Sequence, residues 1–174
     1  MPRTKLLREW LDQHLSHSHP GSTYTLEPAS ADASFRRYFR VTLPDGSTQI
    51  VMDAPPEHED CRPFLKVATL FRDAGVHVPA VYAEDLKLGF LLLSDLGNTT
   101  YLDVLDTTSA RALYSNANAA LIDIQRASRP GILPEYDRAL LTRELDLFPD
   151  WHVTRHPGLT LDATQEATLR TVFE

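Results

Sequence analysis

Residues 29–55 carry the clearest structural pattern in this chain and read ASADASFRRYFRVTLPDGSTQIVMDAP. A loop of small residues at 29–34 separates a first strand from a second strand that is predicted over 35–41. The turn at 44–47 contains an Asp-Gly pair, which is typical of hairpins, and it starts a third strand over 48–53. The stretch therefore predicts three consecutive antiparallel strands, of which the first two are joined by a small-residue loop.

Three arginines follow that loop in a chain whose formal net charge is −7. On a strand, Arg36 and Arg40 share one face and Arg37 takes the other. Guanidinium groups match phosphate oxygens, and the exposed N–H groups of a small-residue loop also bind phosphate. Two interpretations stay open: solvated strand charges, or a local site for the phosphates of a nucleotide. The predicted contacts of such a site are Ala33, Ser34, Arg36 and Arg37.

The composition limits the classes of protein that need to be considered. The chain has 174 residues, of which 43% are hydrophobic and 24% are charged, as in ordinary soluble globular proteins. No apolar run approaches the roughly 20 residues of a membrane span, and no apolar signal core follows Met1. The single cysteine, Cys61, excludes an internal disulfide and indicates a cytoplasmic protein. Because the net charge is acidic, we expect no nucleic-acid partner, and we expect no membrane partner. The oligomeric state is left open.

The rest of the first hundred residues predicts one helix before the sheet and one helix inside it. Residues 4–15 have the apolar spacing of an amphipathic helix. A second helix is predicted over 63–75, opened by a proline and stopped by a glycine. Extended segments over 76–82 and 90–94 complete a set of about five strands. These features predict an α+β lobe over residues 1–97, in which an antiparallel sheet carries an inserted helix.

After residue 97 the pattern becomes helical. The predicted helices are 101–105, 109–127, 140–148, which is broken at Pro149, and 162–173. Residues 98–174 are a thin base for an independent domain, so we expect them to be the incomplete start of a helical lobe. The chain as a whole is therefore expected to be truncated, as the first half of a longer protein.

Four segments carry a family resemblance: DASFRRYFR (32–40), VMDAPP (51–56), GFLLLSDLG (89–97) and ELDLFPDW (144–151). In that order they resemble the N-terminal lobe and hinge of the aminoglycoside phosphotransferase-like kinases. Within that superfamily they are similar to bacterial sugar kinases of cell-wall recycling, which phosphorylate N-acetylmuramate and N-acetylglucosamine at the anomeric hydroxyl. The resemblance covers nearly the whole chain. It implies a protein kinase-like N-terminal lobe followed by the first helices of a helical C-terminal lobe.

The resemblance implies ATP and Mg²⁺ as cofactors and a small-molecule sugar as the substrate. In the kinase plan, a lysine on the third strand pairs with a glutamate on the next helix. Here Met52 or Asp53 takes the lysine position, and the glutamate position falls near Phe64. With both members of the pair missing, Arg36 or Arg37 becomes the candidate cation for the phosphates.

Further site residues follow from the resemblance alone. Leu93 and Asp95 fall in the hinge, where an adenine would bond to backbone groups, and they join Met52 as predicted nucleotide contacts. Glu144 and Trp151 fall near the sugar cleft, where a carboxylate can bind hydroxyls and an aromatic ring can stack on a pyranose. A surface glutamate and a packing tryptophan are the alternative interpretation of the last two.

The kinase catalytic loop, His-x-Asp-x-x-x-x-Asn, does not occur in this chain. His58-Glu59-Asp60 matches only its beginning, since Leu65 stands where the asparagine is required, and we interpret the match as chance. We expect the catalytic base and the metal ligands after Glu174, and the 174-residue chain to be inactive. Two alternatives stay open: a kinase of the same superfamily that acts on an aminoglycoside or amino alcohol, and a non-catalytic, pseudokinase-like binding module.

Overall fold

The computed structural model describes residues 3–18, 23–31 and 34–174. In those residues the strands are β1 (Thr25–Ala31), β2 (Arg37–Thr42), β3 (Thr48–Asp53), β4 (Val81–Asp85) and β5 (Phe90–Ser94). The helices there are α1 (Arg3–Ser18), α2 (Arg62–Asp73), α3 (Tyr101–Val104), α4 (Ala110–Ala127), α5 (Arg138–Leu147) and α6 (Ala163–Phe173). A π-helical segment, Phe148–Arg155, follows α5. The strands thus occupy the first hundred residues, and α2 lies between β3 and β4.

The five strands of the described residues form one antiparallel sheet in the order β1-β2-β3-β5-β4. The predicted α+β fold, an antiparallel sheet with an inserted helix, is confirmed. β5 has the bounds that the sequence predicted, because its run of four apolar residues is buried on both faces of the sheet.

The small-residue loop between β1 and β2 is shorter than predicted. β1 continues through Ala31, where Ser30 pairs with Tyr38 and Ala31 pairs with Arg37. Alanine and serine prefer strands only weakly, but pairing with a neighbouring strand overrides that preference. β1 therefore ends later than predicted, and residues 34–36 are the described part of the chain between the two strands.

The fourth strand was also misplaced by the sequence pattern, since it covers Val81–Asp85 and not 76–82. Pro79 has no N–H to donate to a ladder. The N–H of Ala80 donates to the Ser94 hydroxyl at 2.9 Å, beside the ladder that begins at the next residue. The apolar residues before Val81 thus form an approach to the strand rather than a part of it.

Strand alternation gives the sheet two faces, and a helix covers each of them. On the face toward α1, called the α1 face, the buried residues are Leu7, Trp10, Leu11, Leu15, Val41, Leu43, Val51, Phe90 and Leu92. On the face toward α2, called the α2 face, they are Met52, Ala54, Cys61, Leu91 and Leu93. The predicted amphipathic stripe of α1 is confirmed, because its four apolar residues all lie in the first set.

A buried carboxylate ties α1 to the sheet. Asp53 is fully buried at the end of β3, on the α1 face. It accepts a hydrogen bond from Arg3 Nε at 2.6 Å and another from the Arg37 guanidinium. Arg3 also donates to the Leu88 carbonyl at 2.6 Å. Two guanidinium partners supply the charge and the hydrogen bonds that a buried carboxylate needs.

The described chain forms two compact units, residues 1–127 and 128–174. The first unit contains the sheet and the helices α1 to α4. The division predicted at residue 97, between an N-terminal lobe and the start of a helical lobe, stays a prediction. In the second unit the α-helix α5 ends at Leu147, just before Pro149 as predicted, and the π-helical segment follows it. The helix type thus changes beside Pro149, which has no backbone N–H to donate. Among the described residues, no helix is both long and apolar enough to cross a membrane.

Candidate functional site

The α2 face holds an apolar side chain at the position where kinases carry a lysine. Of the two candidates for that position, Met52 lies on the α2 face and Asp53 lies on the opposite face. Met52 is fully buried and packs with Leu91 and Leu93. Cys61 completes the cluster as a neutral group, because burial raises the pKa of its thiol. This part of the face therefore supplies packing and no charge.

The charge near this face comes instead from the end of the β1–β2 loop. Arg36 Nε donates to Glu59 Oε2 at 3.0 Å, and the Phe35 N–H donates to Glu59 Oε1 at 3.3 Å. The Phe35 ring stacks on His58 with the ring centroids 4.3 Å apart. The Arg36 N–H donates to the Ser34 hydroxyl at 3.1 Å. These contacts fix the end of the loop to the connection between β3 and α2.

The Arg36 guanidinium stays charged in this environment. Burial acts to lower its pKa, but hydrogen bonds with Glu59 and Tyr38 outweigh that effect and raise it above the ordinary value. Two predicted phosphate contacts on the loop remain. Ser34 is the first residue of the loop that the structure describes, and Ala33 lies outside the described residues.

Arg37 lies on the other side of the sheet from Arg36. Its guanidinium binds Asp53 and stands over the Phe39 ring, 5.8 Å from the ring centroid. The predicted split of the arginines between the two faces is confirmed, since Arg40 binds on the side of Arg36. Arg37 therefore has a structural partner on the α1 face, and its role as a phosphate contact stays a prediction.

The predicted hinge after β5 is held by a bidentate ion pair. Arg40 Nε donates to Asp95 Oδ2 at 2.5 Å, and its Nη2 donates to Oδ1 at 3.1 Å. The Gly97 N–H donates to the same carboxylate at 2.8 Å. The Arg40 hydrogen bond is the main reason why the pKa of Asp95 is lowered to about 2. Leu93, the other predicted hinge contact, is buried in β5 on the α2 face. Asp95 thus supports the hinge through its side chain.

The two predicted sugar contacts lie in the second unit. Glu144 is half-exposed on α5, 3.5 Å from Arg143 Nη2. Trp151 lies in the π-helical segment and is 56% exposed, with the Arg155 guanidinium 4.2 Å from its ring centroid. Both side chains are accessible on this unit, and their roles stay predictions. Arg155 was missed by the sequence analysis, although its four-residue spacing from Trp151 is a signal for a helical neighbour.

Glu59 was also missed, because it belongs to the segment that resembled a catalytic loop by chance. His58 and Glu59 bind the loop, as described above. Asp60 accepts the N–H of Arg62 at 3.0 Å at the start of α2. All three residues therefore have structural contacts at one end of α2. No local sequence pattern links Glu59 to an arginine 23 positions away.

The carboxylates around the loop do not form a metal site. Asp53, Glu59 and Asp95 are each bound to an arginine. Within the described ranges, no group of three or more His, Cys, Asp or Glu side chains could hold a metal ion. This donor set does not fit Mg²⁺, which requires several oxygen ligands.

Comparison with known proteins gives a consistent result. Residues 25–174 match the phosphotransferase enzyme family. An N-acetylmuramate/N-acetylglucosamine kinase of Pseudomonas aeruginosa is 59% identical over 137 residues, which are 79% of this chain and 40% of the relative. Kinases of the same name from Pseudomonas putida and Neisseria meningitidis are 45% and 44% identical, over 99% and 95% of this chain. The chain spans only about half of their length, 52% and 49%.

Proposed function

Because the chain belongs to the phosphotransferase enzyme family, we propose that the full-length gene product phosphorylates an amino sugar with ATP. The proposed acceptors are N-acetylmuramate and N-acetylglucosamine, and the proposed position is the anomeric hydroxyl. One observation carries the proposal: three relatives whose name specifies these sugars match 79–99% of this chain at 44–59% identity. We place the reaction in the cytoplasm, in the recycling of cell-wall sugars.

In this reaction the anomeric oxygen forms a bond to the γ-phosphorus while the bond to the β–γ bridging oxygen breaks, and ADP leaves. The proton of the hydroxyl passes to a base. Catalysis depends on positioning and on stabilisation of the phosphate charge. For this chain we assign the phosphates to the loop end at Ala33, Ser34 and Arg36, with Arg37 as a second candidate. We assign the adenine to the hinge beside Leu93 and Asp95, on the α2 face next to Met52.

Mg²⁺ would neutralise part of the phosphate charge when bound with ATP. The carboxylates near the loop are engaged by arginines, so this chain's described residues do not supply its ligands. We expect the metal ligands and the base after Glu174.

The sugar is assigned to the second unit. Glu144 would accept hydrogen bonds from sugar hydroxyls, and the Trp151 ring would stack on the pyranose. The Arg155 guanidinium covers part of that ring, and the exposed remainder is the surface available to a sugar.

The test is a transfer assay with the full-length gene product, Mg-ATP and four acceptors: N-acetylmuramate, N-acetylglucosamine, kanamycin and choline. We expect phosphorus NMR to detect an anomeric phosphate on the two sugars, and the isolated 174-residue chain to be inactive. Phosphorylation of kanamycin or choline alone would favour another kinase of the superfamily. ATP binding without any transfer would favour the binding module, which the apolar Met52 at the lysine position supports. Either outcome contradicts the proposal.

A further inference from the structure

We propose that Glu59 is a positioning residue for the nucleotide phosphates, which it serves by holding Arg36 at the end of the loop. The Arg36–Glu59 pair would then supply the charge that Met52 does not supply on β3. This inference rests on the proposed function, because it assigns the cation of the same nucleotide site. It adds a residue that neither the family resemblance nor the kinase motif identifies.

Glu59 holds two consecutive residues of the loop through its two carboxylate oxygens. Oε2 binds Arg36 Nε and Oε1 accepts the Phe35 N–H. The Glu59 side chain is only 12% exposed, so these bonds form away from bulk water and are stronger than those of a surface pair. Phe35 also stacks on His58, so a second residue of the connection between β3 and α2 contacts the loop. The loop end is therefore fixed in direction as well as in position.

Arg36 keeps donors for a ligand after these contacts. A guanidinium has five N–H donors in a fixed fork. Among the described residues, Glu59 takes the Nε donor and the Tyr38 side chain is a further hydrogen-bond partner of the group. The Arg36 side chain is 32% exposed, so part of it is open to solvent. A phosphate placed at the loop end would meet a charged fork whose orientation is already set.

The neighbouring arginines have different tasks. Arg37 binds the buried Asp53 on the α1 face. Arg40 donates to both carboxylate oxygens of Asp95 at the hinge. Arg37 thus lies on the face opposite the proposed nucleotide, and two of the Arg40 donors are already bound to Asp95. Arg36 lies on the α2 face beside the loop end, so it is the arginine best placed to meet a phosphate there.

The pair also links the sheet to the helix that follows. Glu59 lies two residues before the buried Cys61, and α2 begins at Arg62. In protein kinases the lysine–glutamate pair joins a strand to a helix while the lysine binds the phosphates. Arg36 and Glu59 make a comparable link, with the cation in the loop residue before β2 and the carboxylate before α2.

The experiment measures binding of ATP, ADP and adenosine to the full-length gene product by calorimetry. Arg36→Ala should weaken ATP and ADP by about 10- to 100-fold, as expected for loss of a charged contact, and leave adenosine within about 2-fold. Glu59→Gln should weaken ATP by about 3- to 10-fold, and Glu59→Asp should restore part of that loss. Arg62→Ala is the matched control, since it removes an exposed ion pair at the start of α2 and should leave ATP affinity unchanged.

The double variant tests whether Glu59 acts through Arg36. Adding Glu59→Gln to Arg36→Ala should cost no further ATP affinity, whereas two independent effects would add. Additive losses, equal losses for ATP and adenosine, or no ATP binding by the unaltered protein would each overturn the inference. If Arg36→Ala does not fold, Arg36→Lys keeps the charge without the fork and should still weaken ATP more than adenosine.

The inference and the proposed function can fail separately. Sugar phosphorylation together with unchanged ATP binding in Arg36→Ala would overturn only the role of the pair. The predicted binding pattern without any sugar phosphorylation would overturn only the proposed function.

Discussion

At the scale of single residues, the close contact between Gly89 and Ala54 fixes how the chain enters β5. Gly89 has φ +71°, and a Cβ at this position would lie 1.9 Å from the Ala54 carbonyl oxygen. That oxygen belongs to the backbone, so it cannot move aside as a flexible side chain could. The Gly89 carbonyl in turn accepts the Ala54 N–H at 2.8 Å.

Gly89→Ala should therefore lower the free energy of unfolding by about 3–5 kcal/mol, measured by urea denaturation of the chain. Gly46→Ala is the matched control, since Gly46 has φ +83° but no neighbour within 4 Å of the added Cβ. Gly46→Ala should lower the free energy of unfolding by only about 1–2 kcal/mol, the cost of placing an alanine at a positive φ. Equal losses in the two variants would contradict the close contact.

Residue-level contacts were the part of the site that the sequence predicted least. The division of Arg37 and Arg40 between the two faces follows from strand alternation and was predicted. Their partners, Asp53 and Asp95, lie 16 and 55 positions away. Local spacing carries no information on pairs so far apart, because they meet only after the sheet has formed.

At the scale of elements, the hinge depends on a pair that joins β2 to the end of β5. The Arg40 hydrogen bond lowers the pKa of Asp95 to about 2 from an ordinary value of 3.8. Since the pKa is lower in the folded state, the carboxylate stabilises the fold when it is ionised. The contribution is fully present above about pH 4 and is lost as the pH falls toward 2.

Asp95→Asn should thus lower the free energy of unfolding by about 2 kcal/mol at pH 7, and the difference from wild type should shrink between pH 4 and pH 2. Urea denaturation at several pH values measures this. Asp73→Asn serves as the control, because the Arg72–Asp73 pair is exposed and should contribute little. A difference that stays constant down to pH 2 would show that the ion pair is not its cause.

The elements themselves were largely predictable. β3 and β5 have the same first and last residues as predicted, because strands that pack against a core show a clear apolar pattern in the sequence. β1 was predicted too short and β4 too early, since Ala31 and Pro79 give misleading local preferences. Pairing decides such ends, and pairing is a property of the sheet.

At the scale of the whole molecule, the two faces of the sheet carry different ion pairs. On the α1 face, Asp53 binds Arg3 and Arg37 and anchors α1. On the α2 face, Arg36 and Glu59 hold the loop end, and Arg40 and Asp95 hold the hinge. We propose that a nucleotide lies on the α2 face, between the loop and the hinge.

Hydrogen–deuterium exchange of the full-length gene product, with and without Mg-ATP, locates the nucleotide on one face of the sheet or the other. We predict slower exchange in residues 34–38 and 93–97, because loop and hinge N–H groups would bind the nucleotide. Exchange in residues 7–15 of α1 should not change, since they pack on the opposite face. Protection of α1 alone, or saturating ATP without protection at the loop and hinge, would contradict a nucleotide site on the α2 face.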